Sequence, residues 1–190
     1  MRQFERPELH SECDVAALVY GPQDDPDAIL EAFVTDLRRQ GFDAVGLLQR
    51  RKAVPGDVID FFLIPRGDEE MGLGETGVAA GTPCGSRLQD LGEQVAHVLD
   101  RHPDIIVLNR FGWLEASGSG LLGLLADAIA HDVPVLTAVP EGLFERWLAV
   151  VQGLAIRLPC KRSSLEHWWI GLARGPHIRS AEPRFCERYK

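Results

Sequence analysis

Short, nearly uninterrupted apolar runs alternate along this chain with segments of helical spacing, and that alternation constrains the fold more than any other feature. Val15-Ala16-Ala17-Leu18-Val19-Tyr20 reads as a buried strand ending at the Gly21-Pro22 turn. Asp25 then offers an N-cap and Pro26 a first helical position. Ile29, Leu30, Phe33 and Leu37 recur at helical spacing until Gly41. Residues 44–49 form a second apolar run, so the chain opens with a βαβ unit whose right-handed crossover sets its strands parallel.

The pattern continues. Residues 58–64 read as a strand, an antiparallel extension beside the second one, and residues 65–86 as a long irregular loop rich in glycine. Leu88, Leu91, Val95 and Leu99 mark a helix, and residues 104–108 a buried strand. A polar, glycine-bearing connection spans 109–120, followed by an apolar helix over 121–131 and a strand over 133–139. An amphipathic helix over 141–152, a short strand near 155–158 and a final helix from Ser163 complete the series. Ser163 and Glu166 have capping-box spacing. Strands that are continuously apolar must be covered on both faces. The expected fold is therefore α/β, a three-layer sandwich with a mostly parallel sheet. Residues 15–174 are expected as one domain, 1–14 as a flexible N-terminus and 175–190 as a loosely attached tail.

The 190 residues are 45% hydrophobic and 25% charged, enough for a core without disulfide or metal staples. A net charge of −8 argues against nucleic acid as a partner. No run is long enough for a membrane helix, and the N-terminus has no apolar signal core, so a cytoplasmic protein is expected. Cys13, Cys84, Cys160 and Cys186 form no C-x-x-C pair, and the histidines show no metal spacing, so no metal site is expected. Trp113 stands out among the tryptophans because it lies in a polar loop, where an indole can cover a ligand or meet a partner.

In parallel α/β folds ligands bind at the carboxyl ends of the strands. The turns of interest are thus 21–25, 49–52 and 109–120. The first reads Gly21-Pro22-Gln23-Asp24-Asp25-Pro26-Asp27. A phosphate-cradling loop needs several glycines and a lysine there; three aspartates instead repel a triphosphate. The third turn carries Arg110 at a strand end and Gly118-Ser119-Gly120 ahead of a helix, a cation with free amides that suits a compact anion. Glu115 is placed to orient Arg110, to hold a water, or simply to favour the helix start. Gln49 and Arg50 add to the same edge, and Arg87 and Cys84 are candidates to close over it from the long loop.

At these residues the chain resembles a family of unknown function, DUF2478. The matching pieces are Ala17-Leu18-Val19-Tyr20-Gly21, Gly46-Leu47-Leu48-Gln49-Arg50, Cys84-Gly85-Ser86-Arg87-Leu88, the block from Leu108 through Asn109-Arg110-Phe111-Gly112-Trp113 to Ala116, and Pro134-Val135-Leu136-Thr137-Ala138-Val139. The resemblance implies a P-loop-NTPase-like sheet, degenerate in its chemistry, in proteins associated with molybdenum uptake and molybdenum enzymes. Active relatives place Asp-Glu-x-Gly where this chain has Asn109-Arg110-Phe111-Gly112, so the magnesium ligand and the water-positioning acid are missing. The family form near Cys84 resembles Cys-Arg-Leu-Asp, whereas Cys84-Gly85-Ser86-Arg87-Leu88-Gln89-Asp90 has different spacing.

The resulting expectation is a non-hydrolytic binding protein with no catalytic residues and no resident cofactor. Its ligand would be a small oxyanion, molybdate or tungstate. Arg110, Asn109, Gly112, Glu115, Gly118, Ser119 and Gly120 would form the site, with Arg87, Cys84, Gly21, Gln23, Gln49 and Arg50 around it. The alternatives are a nucleotide-binding protein or weak NTPase with an atypical phosphate site, and an accessory protein docking on a molybdenum enzyme or transporter. A homo-oligomer remains open.

Overall fold

The computed structural model describes residues 14–52, 58–64, 78–79 and 85–173. The expectations for the N-terminus, the C-terminal tail and most of the 65–86 loop, including Cys84, lie outside the described residues. In chain order the elements are β1 (Val15–Tyr20), α1 (Pro26–Arg39), β2 (Ala44–Lys52), β3 (Val58–Ile64), β4 (Val78–Ala79), α2 (Gly85–Leu99) and β5 (Ile105–Arg110). There follow α3 (Trp113–Ala116), α4 (Leu122–Ala130), β6 (Val135–Pro140), a 3₁₀ turn (Glu141–Leu143), α5 (Phe144–Val150), β7 (Ile156–Pro159) and α6 (Arg162–Ala173).

The described strands form one sheet in the order β4-β3-β2-β5-β6-β1-β7. β2, β5, β6, β1 and β7 run parallel, and β3 and β4 extend the β2 edge antiparallel. Each face carries its own core. One side gathers Val45, Leu91, Leu108, Leu124 and Trp147 beneath α2, α4 and α5. The other gathers Leu30, Phe33, Val107, Leu136 and Trp169 beneath α1 and α6. These are the three layers that two-sided strands demand.

Local chemistry fixes the helix ends. Asp25 caps α1, its side chain accepting from the Ala28 N–H at 3.2 Å, and Pro26 opens the helix. Leu30, Phe33, Val34 and Leu37 form the buried stripe of α1, and Gly41 follows its end at φ +90°. Two boundaries differ from the periodicity. α6 starts at Arg162, and Glu166 Oε1 accepts a hydrogen bond from Arg162 Nε–H at 2.9 Å rather than closing a capping box with Ser163. The 109–120 connection is not all loop: Asn109 and Arg110 extend β5, and α3 forms one further turn.

At the amino edge of the sheet, Asp43 N–H donates to Asp104 Oδ2 at 2.7 Å and Asp104 N–H returns a bond to the Asp43 carbonyl at 3.0 Å. Burial pushes the Asp104 carboxyl above its ordinary range; the Asp43 N–H bond pulls it down and the Asp43 charge pushes it up again. A carboxyl raised in the folded state adds stability below its unfolded pKa, and that contribution is lost as pH rises through the folded pKa. Asp104→Asn, which keeps an acceptor for Asp43 N–H, is therefore expected to raise Tm at pH 7. The gain should shrink as pH falls into the carboxylate range, a trend that melting curves across pH will check.

Candidate functional site

The carboxyl ends of β1 and β5 flank that of β6, and α1 starts directly above them. β5 pairs with β6 in regular register through Leu108↔Thr137, then slips so that Arg110 pairs with Ala138. Asn109 is the extra residue of this bulge. The slip brings Arg110 to the α1 side of the sheet, where it meets Asp27 in the first turn of that helix. Arg110 Nε donates to Asp27 Oδ1 at 2.8 Å and Nη2 donates to Oδ2 at 2.7 Å, a two-pronged ion pair. The guanidinium lies 5.0 Å from the centre of the Tyr20 ring, and Nη1 reaches the Tyr20 hydroxyl at 3.5 Å. Gln49 Nε2 approaches Asp27 Oδ2 at 3.5 Å.

Burial disfavours the charge on Arg110. The Asp27 hydrogen bonds and charge, with help from Tyr20, more than offset this, and the guanidinium pKa stands above its ordinary value. The structure thus gives Arg110 an intramolecular partner, Asp27, at the position where the sequence suggested a ligand-binding cation. The β1–α1 turn is equally self-contained. Asp24 Oδ2 accepts the Gly21 N–H at 2.7 Å, and Gln23 stands exposed beside it. Cys160, at the end of β7, has its thiol pushed up to about 11 by burial and then by the nearby Asp24 and Asp25 charges.

Ahead of α4, the N–H groups of Gly118, Ser119 and Leu121 have partners within the chain. Glu115 is 7% exposed despite its charge. Its Oε2 accepts from Gly112 N–H at 2.9 Å and its Oε1 from Leu121 N–H at 3.2 Å. Gly118 N–H bonds the Glu115 carbonyl at 3.1 Å and Ser119 N–H the Leu114 carbonyl at 2.9 Å. A Cβ on Gly120, whose φ is +67°, would overlap Glu115 Oε1 and lie 2.8 Å from its Cδ. Of the three roles the sequence left open for Glu115, its side-chain hydrogen bonds match the one at the helix start. The adjoining cavity, lined by Leu108, Arg110, Phe111, Glu115 and Thr137 among others, holds about 10 Å³.

Asn109 and Arg50 sit on β5 and β2, and Arg87 on α2; their side chains lie outside the described ones. Trp113 is 68% exposed, with the Arg146 guanidinium of α5 4.9 Å from its ring centre, whereas Trp147, Trp168 and Trp169 are core residues. Sequence reasoning missed Asp27 and Tyr20 as the partners of Arg110, and Arg146 as the partner of Trp113. The available signal for Asp27 was a first-turn carboxylate and a strand-end cation sharing one sheet edge. Among the described residues no group of three or more His, Cys, Asp and Glu side chains is arranged to hold a metal, and no helix is long and apolar enough to cross a membrane.

Comparisons with known proteins agree with this architecture. The chain is 38% identical over 161 residues to the molybdenum import ATP-binding protein ModC 2 of Bradyrhizobium diazoefficiens, a match covering 82% of this chain and 18% of that protein. The chain therefore spans about a fifth of the length of the curated relative it matches. No solved structure matches it. The α/β fold is P-loop-like, with a mostly parallel sheet. The model of the family described as "Protein of unknown function (DUF2478)" matches residues 15–168, and the chain belongs to that family.

Proposed function

We propose that the domain is a cytoplasmic, non-hydrolytic accessory component of molybdenum import that works by docking on an ATP-binding subunit. The carrying observation is the Asp27–Arg110 pair, which fills the carboxyl edge with the chain's own charges. A triphosphate would meet Asp24, Asp25 and Asp27 with no lysine to offset them. An oxyanion site at Arg110, for molybdate or tungstate, would require Asp27 to give up its partner. Docking needs no such change.

The relative supplies the context. In that protein, the stretch similar to this chain is joined to a much longer remainder under a molybdenum-import name. The joining of a similar stretch to such a protein there supports an ATP-binding subunit of molybdenum import as the partner here. Trp113 is the contact this reading favours. It is exposed yet held by Arg146, so little side-chain freedom is lost on binding, and Trp and Arg dominate interface energetics.

The test is titration of this chain against the purified molybdenum import ATP-binding subunit of the same organism. Saturable binding is expected, weakened about tenfold or more by Trp113→Ala. The purified chain alone should neither turn over ATP nor release heat with molybdate. ATP turnover lost in Arg110→Ala would instead favour the nucleotide reading, and absence of binding to the subunit would defeat the docking one.

A further inference from the structure

The cluster that Asp27 completes has the form of a receptor with its ligand attached. Arg110 offers two parallel N–H groups, Tyr20 lends a ring and a hydroxyl, and Gln49 adds an amide, all converging on or beside one carboxylate. Planar, two-pronged donation by arginine matches carboxylates and oxyanions alike. The Asp27 side chain is 13% exposed and the Arg110 side chain 24%, so the pair is largely removed from water. Asp27 belongs to α1 and Arg110 to β5, 83 residues apart, so this carboxylate ties a helix start to a strand end.

We propose that Asp27 is a tethered ligand in a small-oxyanion seat formed by Arg110, Tyr20 and Gln49, and that removing this carboxylate opens the seat to a free anion. In the intact chain the tether keeps the carboxylate at a high effective concentration, so free anions do not compete. Carboxylates with one charge and tetrahedral oxyanions with two are the class of ligand that fits. The inference rests on the reading of this edge as already filled, and it is independent of which partner the domain docks on.

The experiment is chemical rescue. Asp27→Ala shortens the side chain and leaves the guanidinium without its partner, and Tm is expected to fall by about 5–10 °C. Millimolar acetate, sulfate or molybdate should restore part of that loss, while chloride at equal ionic strength should not. The intact chain should show no anion-specific shift. Adding Arg110→Ala to Asp27→Ala should abolish the rescue, because the seat has lost its cation. Asp27→Ser, which keeps a small polar residue in the first turn of α1, is measured in parallel. If neither variant is soluble, soluble yield with sulfate against chloride reads the same competition. Recovery by sulfate and acetate but not by chloride supports the seat; equal behaviour in all three salts overturns it, whatever the titration against the import subunit has shown.

Discussion

Gly46→Ala is expected to prevent folding, or to cost upwards of about 4 kcal/mol, measured by denaturant unfolding or as loss of soluble protein. Gly46 lies inside β2, paired with Ile64 of β3 on one side and Val107 of β5 on the other. Its φ is +137°, and a Cβ there would overlap the Val107 carbonyl oxygen and lie 2.8 Å from the carbonyl carbon. The obstacle is the backbone of a neighbouring central strand, which cannot swing aside as a flexible side chain can. Gly123→Ala is the matched control. That glycine lies within α4 with nothing near its would-be Cβ, and alanine there should add about 0.5–1 kcal/mol of stability.

Glu115→Ala should cost about 3–4 kcal/mol, because it leaves the N–H groups of Gly112 and Leu121 without their charged acceptor inside the protein. Glu115→Gln is the informative companion. Both Glu115 oxygens accept hydrogen bonds, so an amide supplies one acceptor and sets an NH₂ group against the other N–H. Glutamine should therefore recover only part of the loss although its shape is nearly the same. Equal stability of Glu115→Gln and the unmodified chain, by chemical denaturation at pH 7, would mean that only one of these two bonds matters.

The layers were legible because their signals are local. The apolar run at Val15–Tyr20 and the Asp25-Pro26 start of α1 follow from residues within one or two turns of each other, and the antiparallel pairing of residues 58–64 joins strands adjacent in sequence. The gathering of strand ends and helix starts on one edge was legible as well, because it follows from this topology. Its charge balance was not. Whether Arg110 is free depends on Asp27, which only the packing of α1 over β5 brings within 2.8 Å. Whether the amides before α4 are free depends on Glu115 turning inward, and a charged residue in a polar stretch ordinarily reads as solvated.

The one-residue slip at Asn109 decides which helical layer the guanidinium serves. Side chains of a strand alternate between faces, so an unslipped β5 would send residue 110 toward α2 and α4, away from Asp27. Two family members could then spell the same letters here and yet use their cation on opposite sides of the molecule. In this chain the register of residue 110 against β6, and not its identity alone, decides that the cation meets Asp27.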